Sequence, residues 1–332
     1  MNVVEILDQH PDPAIRLKLH AGVLDSGRRT ITSLQRAVKQ SEIVRRLLAS
    51  RNADGRFPSR VYQKWQGPHW ILATLADLGY APGDRSLLPA RDQLLDHWLG
   101  KNFFNEFVSD SKAKVYRQHR SGVPIMQGRH RRCASQQSNA LWSILRLGLM
   151  NDRSHELVER LLHWQWPDGG WNCDKDPNAS HSSFMESIIP LRALSLYARE
   201  FDHAEASAAA DRAAEIFLKR RLFLGQRSGK PMKQDFIKLH YPLYWHYDIL
   251  HGLKVMAEAG KISDSRCKDA LDLLEAKQLD DGGWPAEARY YKTSEVLQNG
   301  NDYIDWGGVS QKKMNPWVTV DALTVLKAAG RF

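Results

Sequence analysis

Apolar and polar positions along the chain alternate between two kinds of helical segment. One kind is one-sided. Ser41–Ser50, Pro89–Leu99, Asp152–Trp164, Glu205–Leu222 and Asp264–Lys277 carry apolar residues at helical spacing with charges between them. The other kind is apolar around most of its circumference: His69–Leu78, Asn139–Leu149, Phe184–Tyr197, Tyr244–Ala259 and Trp317–Ala328. Several of these run into a glycine stop, as at Gly79, Gly148, Gly260 and Gly330. An all-round apolar helix belongs inside a fold and a one-sided helix outside it. Near the N-terminus, Asp12 reads as a helix cap with Pro13 in the first turn. Five outer–inner pairs of about fifty residues each, with residues 1–40 as a partial sixth, predict an all-α fold. The expected architecture is an (α/α) barrel or toroid of concentric helices, one domain over residues 1–332, with an open solenoid as its rival.

Two of the outer helices end on the same word. Gln165-Trp166-Pro167-Asp168-Gly169-Gly170-Trp171 and Gln278-Leu279-Asp280-Asp281-Gly282-Gly283-Trp284 both read Q-x-x-D-G-G-W. Asn52-Ala53-Asp54-Gly55-Arg56-Phe57 is a degraded copy. Asp-Gly and Gly-Gly break helices, so each copy predicts a turn whose aromatic residue folds back on the preceding helix. The longest stretches without helical pattern are Phe103–Arg132, Leu224–Leu239 and Pro285–Asn315. Each joins an outer helix to an inner one, so all three should gather at one end of the ring, where long loops carry function.

Composition narrows the class without naming a reaction. In 332 residues, 42% hydrophobic content supports a sizeable core. No apolar run approaches the ~18 residues of a membrane span, and no export signal is visible at Met1–Glu5. Three widely spaced cysteines do not make a disulfide framework, so the cytoplasm is the expected compartment. The net charge of +9 is uneven. Lys112, Lys114, Arg117, Arg120, Arg129, Arg131 and Arg132 fall in one loop, with a single acid between Asp110 and Cys133. That density suits a phosphate-bearing ligand or a peripheral contact with acidic lipid, and equally a solvated loop. Nucleic acid is the weaker partner, since no recognised nucleic-acid module accompanies the charge.

After an outer helix, Q-x-x-D-G-G-W resembles the QW repeats of squalene–hopene cyclases and related terpenoid cyclases. It also resembles the G-G-W/F turns of protein prenyltransferase β subunits. G-G-W-N-C (Gly169 to Cys173), H-S-S-F-x-E (His181 to Glu186) and W-H-Y-D-x-L (Trp245 to Leu250) are similar to a bacterial single-barrel group of that superfamily. The resemblance runs from Ser41 to the end and implies a toroid around a central pocket. It implies an enzyme acting on an isoprenoid or other apolar substrate, or on a small diphosphate-bearing one, by proton-initiated cyclisation or prenyl transfer. A non-catalytic lipid- or protein-binding toroid is the alternative. Two departures matter: D-x-D-D and D-D-x-x-D are both missing, and Asp280-Asp281 belongs to a turn. The prenyltransferases hold zinc with Asp, Cys and His. Here Cys173, His181 and His246 offer comparable ligands, with Asp174 or Asp248 as a fourth, although the D-x-C pairing is absent.

The candidate acids are Asp174, Asp176, Asp248 and Glu186. Glu186 shares a helix with Ser182, and the structural role open to it is an ion pair with Arg192 or Arg146. If Tyr244 to Ala259 is one helix, Tyr244, Asp248 and His251 share a face, and Asp248 needs a partner or a shifted pKa. Eleven tryptophans are many for this length. Trp142, Trp245 and Trp317, with Tyr244, are expected to line the pocket, where aromatic faces suit carbocations and isoprenoid chains. Arg129, Arg131 and Arg132 are expected to meet a diphosphate at its mouth. Trp171 and Trp284 read instead as fasteners of their turns.

Overall fold

A computed structural model describes residues 2–118, 122–296 and 298–332. Fourteen α-helices occur among them. They are α1 (Val3–Asp8), α2 (Pro13–Gly22), α3 (Arg28–Lys39), α4 (Glu42–Leu48), α5 (Pro68–Asp77), α6 (Leu88–Trp98) and α7 (Lys112–Gln118), followed by α8 (Ala134–Arg146), α9 (Asp152–Trp164), α10 (Phe184–Phe201), α11 (Ala204–Leu218), α12 (Ile249–Glu258), α13 (Lys268–Glu275) and α14 (Pro316–Ala328). The expected cap at Asp12 is present: its carboxylate accepts the Ala14 N–H, with Pro13 at the first position of α2.

The inner helices close a ring. Helix α5 packs on α8, α8 on α10, α10 on α12, α12 on α14 and α14 on α2. The gap between α2 and α5 is bridged by Lys18 to Asp77 and by Leu17 against Gly79. Outside lie α1, α3, α4, α6, α9, α11 and α13, each against its inner neighbour. The architecture is therefore an (α/α) toroid with six inner helices, and the N-terminal pair supplies a full sixth member. One expected boundary moves. Tyr244 to Tyr247 is not helical; α12 starts at Ile249 with Asp248 as its cap, and Tyr244 has φ of 33°. The chain turns at Tyr244 and Trp245 and the Asp248 carboxylate then caps α12, so Tyr244, Asp248 and His251 share no helical face.

Each of the three long loops leads into the N-terminal end of an inner helix. Two of them touch, the Glu287 N–H donating to Leu239 O (2.7 Å), and shorter loops join them, with the Trp65 N–H on Asn301 O (3.1 Å) and Arg131 bridged to Asn172. Within the loops are five short strands: β1 (Glu106–Val108) pairs parallel with β2 (Val123–Met126), which pairs antiparallel with β3 (Arg129–His130). A second sheet joins β4 (Lys292–Thr293) to β5 (Asn301–Asp302). Among the described residues no helix is long and apolar enough to cross a membrane.

The repeated word folds the same way each time. Indole N–H donates to a carbonyl of the outer helix in both full copies, Trp171 to Leu161 (2.9 Å) and Trp284 to Leu274 (2.7 Å). The glutamine side chain closes the turn on Gly169 O (2.7 Å) or Gly282 O (2.9 Å). Gly169 sits at φ 101°, and a Cβ there would lie 2.5 Å from Arg212 O, so no other residue fits. The degraded copy keeps the backbone bonds, Asn52 N–H to Arg56 O and Gly55 N–H to Asn52 O, with Phe57 buried in the tryptophan's place.

The axis is not the aromatic-lined hollow that the resemblance implies. Lys18 and Lys254 each bridge Asp77 and Asp321 at 2.8–3.1 Å. Arg192 holds Glu258 and lies 3.7 Å above the Trp142 ring. Burial pushes the Asp77 carboxyl up, but Lys18, Lys254 and Arg192 outweigh it and hold it well below the usual range. Above this network Tyr241 reaches down to Asp77 (2.9 Å), and the space left beside it is about 30 Å³. That volume holds roughly a water molecule. Below it a cavity of about 270 Å³ opens at the C-terminal ends of the inner helices, lined by Arg146, Arg199 and the ion network. An isoprenoid chain needs an apolar wall, and these walls are charged.

Trp171→Ala removes a fully buried indole and should cost about 3–5 kcal/mol, with Trp284→Ala similar. Trp171→Phe should cost far less, since packing largely survives and one hydrogen bond of about 1 kcal/mol is lost. Urea unfolding of the three variants checks the order.

Candidate functional site at the loop face

Three side chains from three elements converge beneath the loops. Cys133 caps α8, Cys173 follows the tryptophan of the first full turn, and Glu186 stands in the first turn of α10. Their ligand atoms all lie within 4.8 Å of one another. Glu186 Oε2 accepts the Ser135 N–H (3.1 Å) at the N-terminus of α8, and the Cys173 thiol faces Oε1 at 3.5 Å. Burial pushes the Glu186 carboxyl up, only partly offset by the Ser135 bonds, Cys173 and Arg132. The Cys173 thiol is raised strongly by its hydrogen bond to Cys133, by burial and by Glu186, so without a cation it stays protonated. Arg132 is 8% exposed and makes no ion pair within 4 Å among the described residues. It is held by Gln136 and Gln137 and lies over Phe103. Its charge is thus available to the thiols and Glu186, whose fields reach it.

The structure separates several expected partners from this cluster. Asp174 and Asp176 are exposed and act as successive loop acceptors, for the Asp176 and Asn178 N–H groups at 2.9 Å each. The His181 side chain is exposed, and its carbonyl accepts from Asn172. Arg131 straps this loop through Ala179 O (2.8 Å) and Pro177 O (3.2 Å) while stacking on Trp166. Arg129 bonds Gln127 O. His119 and Arg120 lie outside the described residues. Glu186 does not pair with Ser182, which caps onto Asp168, nor with Arg192, which belongs to Glu258. Trp317 stacks on Tyr241, and Tyr244 stacks on Trp65 at 4.1 Å with its hydroxyl on Asp302. Trp142, Tyr241 and Tyr244 do line the space at the axis, but at about 30 Å³ it is too small for an isoprenoid chain.

His246 and Asp248 belong to a second cluster on the same face. Asp248 is fully buried; it accepts the N–H groups of His251 (2.8 Å) and His240 (2.9 Å), and the His240 ring at Nδ1 (2.5 Å). A carboxylate at Nδ1–H leaves the lone pair on Nε2. That atom is buried and meets no partner among the described residues. His246 is stacked between Trp245 and Tyr290 at 4.1 and 3.7 Å, its ring 6.1 Å from that of His240. Sequence reasoning missed Cys133 and His240. Cys133 had a usable signal, since it stands immediately before an inner helix, as Glu186 stands at the start of the next. His240 had none beyond its place in an aromatic stretch.

No protein-family model and no curated protein sequence matches the chain. Among solved structures, a protein from Actinoplanes is 15% identical, with 96% of this chain and 90% of that chain covered and a TM-score of 0.46. Unsaturated glucuronyl hydrolase from Bacillus sp. GL1 is 13% identical over 95% and 84% of the two chains, with a TM-score of 0.42. The type II terpene cyclase MstE from Scytonema is 14% identical over 87% and 96%, with a TM-score of 0.29. None of these likenesses bears on chemistry. The toroid rests on the helix contacts themselves.

Two outcomes follow from the buried groups. Burial, with small further shifts from neighbours, lowers His69 to about 3 and His251 to about 4. The unfolded chain therefore binds more protons below pH 6.5, so stability is full above that value and falls as pH drops toward 4. Each such imidazole removes about 1.4 kcal/mol per pH unit in that window. Urea midpoints between pH 7 and 4.5 should fall steadily, and a flat profile would contradict neutral burial. Asp248→Ala strands two backbone N–H groups and the His240 ring, a loss of about 3–5 kcal/mol that the same titration measures at pH 7.5.

Proposed function

We propose that the chain is a transferase-like enzyme whose reacting centre is the Cys133–Cys173–Glu186 cluster, with zinc as its metal. The observation that carries this reading is the meeting of two thiols and one carboxylate within 4.8 Å, beside a buried guanidinium. Two thiols and a carboxylate suit zinc, and three protein ligands leave a position open, as in catalytic sites. Charge supports the fit: two thiolates and a carboxylate against a divalent ion leave one negative charge, which Arg132 balances. When bound, zinc supplies Lewis acidity and stabilises a thiolate or hydroxide nucleophile. The chain's own residues do the rest. Ser135 N–H orients Glu186, Gln136 and Gln137 fix Arg132, and the first full turn holds Cys173 in place.

The substrate we favour is an apolar, diphosphate-bearing donor transferred at the loop face. Proton-initiated cyclisation on the axis is disfavoured, because Asp77 and Asp321 are committed to Lys18 and Lys254. The test replaces the native metal with cobalt. A near-ultraviolet thiolate-to-cobalt band should appear at one equivalent, weaken in Cys173→Ser or Cys133→Ser, and vanish when both are replaced. Turnover of prenyl diphosphates, assayed with thiol acceptors, should be lost with it. A cobalt complex without that band, or one indifferent to Cys133→Ser and Cys173→Ser, defeats the reading. The toroid is then a binding module with a pair of hydrogen-bonded thiols.

A further inference from the structure

A separate set of ligand-type atoms converges on the outside of the ring. Glu106 opens β1, His130 ends β3 and His163 stands in the last turn of α9, so the small sheet is laid against the end of an outer helix. The three ligand atoms lie within 4.8 Å of one another. His163 Nε2 is 3.0 Å from Glu106 Oε1 and 3.2 Å from Oε2, and His130 Nε2 is 3.4 Å from Oε2. The two imidazole rings are 4.6 Å apart at 53°. An ordinary ion pair needs one imidazole. Here two rings from unrelated elements turn the same nitrogen toward one carboxylate, which is how ligands of a shared cation are arranged. Trp164 donates its indole N–H to Glu106 Oε1 (3.0 Å) and so fixes the carboxylate, as outer partners of metal ligands do.

We infer that Glu106, His130 and His163 form a second metal site, for zinc or a similar borderline transition ion. Two imidazole nitrogens disfavour calcium and magnesium, which take oxygen ligands, and the absence of a thiol separates this site from the inner pocket. The carboxylate leaves a divalent ion with one net positive charge. Glu106 and His163 border a shallow groove of about 350 Å³, lined also by Phe104, Glu159, Arg160 and Trp164. Arg160 lies over the Phe104 ring at 4.2 Å, with its charge offset by Glu156 and by Glu159 beside it. The ion's remaining positive charge suits an oxygen ligand in its open position, a water, a carboxylate or a phosphate group.

The experiment uses the full chain carrying Cys133→Ser and Cys173→Ser, stripped with chelator and titrated with cobalt and then zinc. One equivalent should bind, with weak visible bands, no thiolate band and a roughly micromolar or tighter zinc Kd. His163→Ala, at a side chain 58% exposed, removes no packing and should weaken binding by about 10- to 100-fold, as should His130→Ala. Because the thiols are gone, this result does not depend on the inner pocket. If the serine variant fails to fold, wild-type chain serves instead: His163→Ala should cut cobalt stoichiometry from two to one while the thiolate band stays. Zinc binding weaker than about 100 μM, or unchanged by His163→Ala, overturns the inference.

Discussion

Two lysines shared between two aspartates at the axis govern the rest of this toroid. Lys18, Asp77, Lys254 and Asp321 come from α2, α5, α12 and α14, so the quartet ties together the helices on either side of the ring's closure. Buried charges are tolerated only when paired and hydrogen-bonded, and each member here has two opposite partners. The same bonds decide where chemistry is available. They fill the centre with committed charge, and Tyr241 and Tyr244 seal it from above. Groups not tied up in ion pairs gather at the rim, where Cys133, Cys173 and Glu186 cluster and His240 Nε2 has no partner among the described residues.

The alternation of one-sided and all-round apolar segments was enough to read the ring, because burial on a toroid depends on which circle a helix occupies. Turn chemistry at Gly169 and Gly282 was equally legible, since few residues tolerate those backbone angles. The misreading at Tyr244 has a specific cause. Apolar periodicity from Tyr244 to Leu253 imitates a helix, but Asp248 is a better cap than an interior residue, and Pro242 lies too close upstream. The hub was hidden for a different reason. Asp77, Lys254 and Asp321 stand on three different, mostly apolar helices, and only the closed ring shows that they compensate one another.

The rim clusters were half legible. Cys173 and Glu186 lie in the short stretch around the first full turn, so their chemistry was visible together. Cys133 stands forty positions earlier and joins them only because α8 and α10 are ring neighbours. Asp174, Asp176 and His181 stood nearer in sequence but point into a surface loop whose Asx bonds consume the carboxylates. Glu106, His130 and His163 come from a strand, a strand and a helix end, and no local spacing marks them.

The bridge between Lys18 and Asp321 spans 303 positions. A chain made from its N-terminus exposes Lys18 and its unsatisfied pocket while nearly all the remaining helices are still to be synthesised. Final closure therefore waits until α14 has been synthesised and has emerged from the ribosome, and the early helices must stay soluble meanwhile with their inner faces uncovered. The strongly basic balance of the chain, which adds repulsion between incomplete copies, suits that long interval.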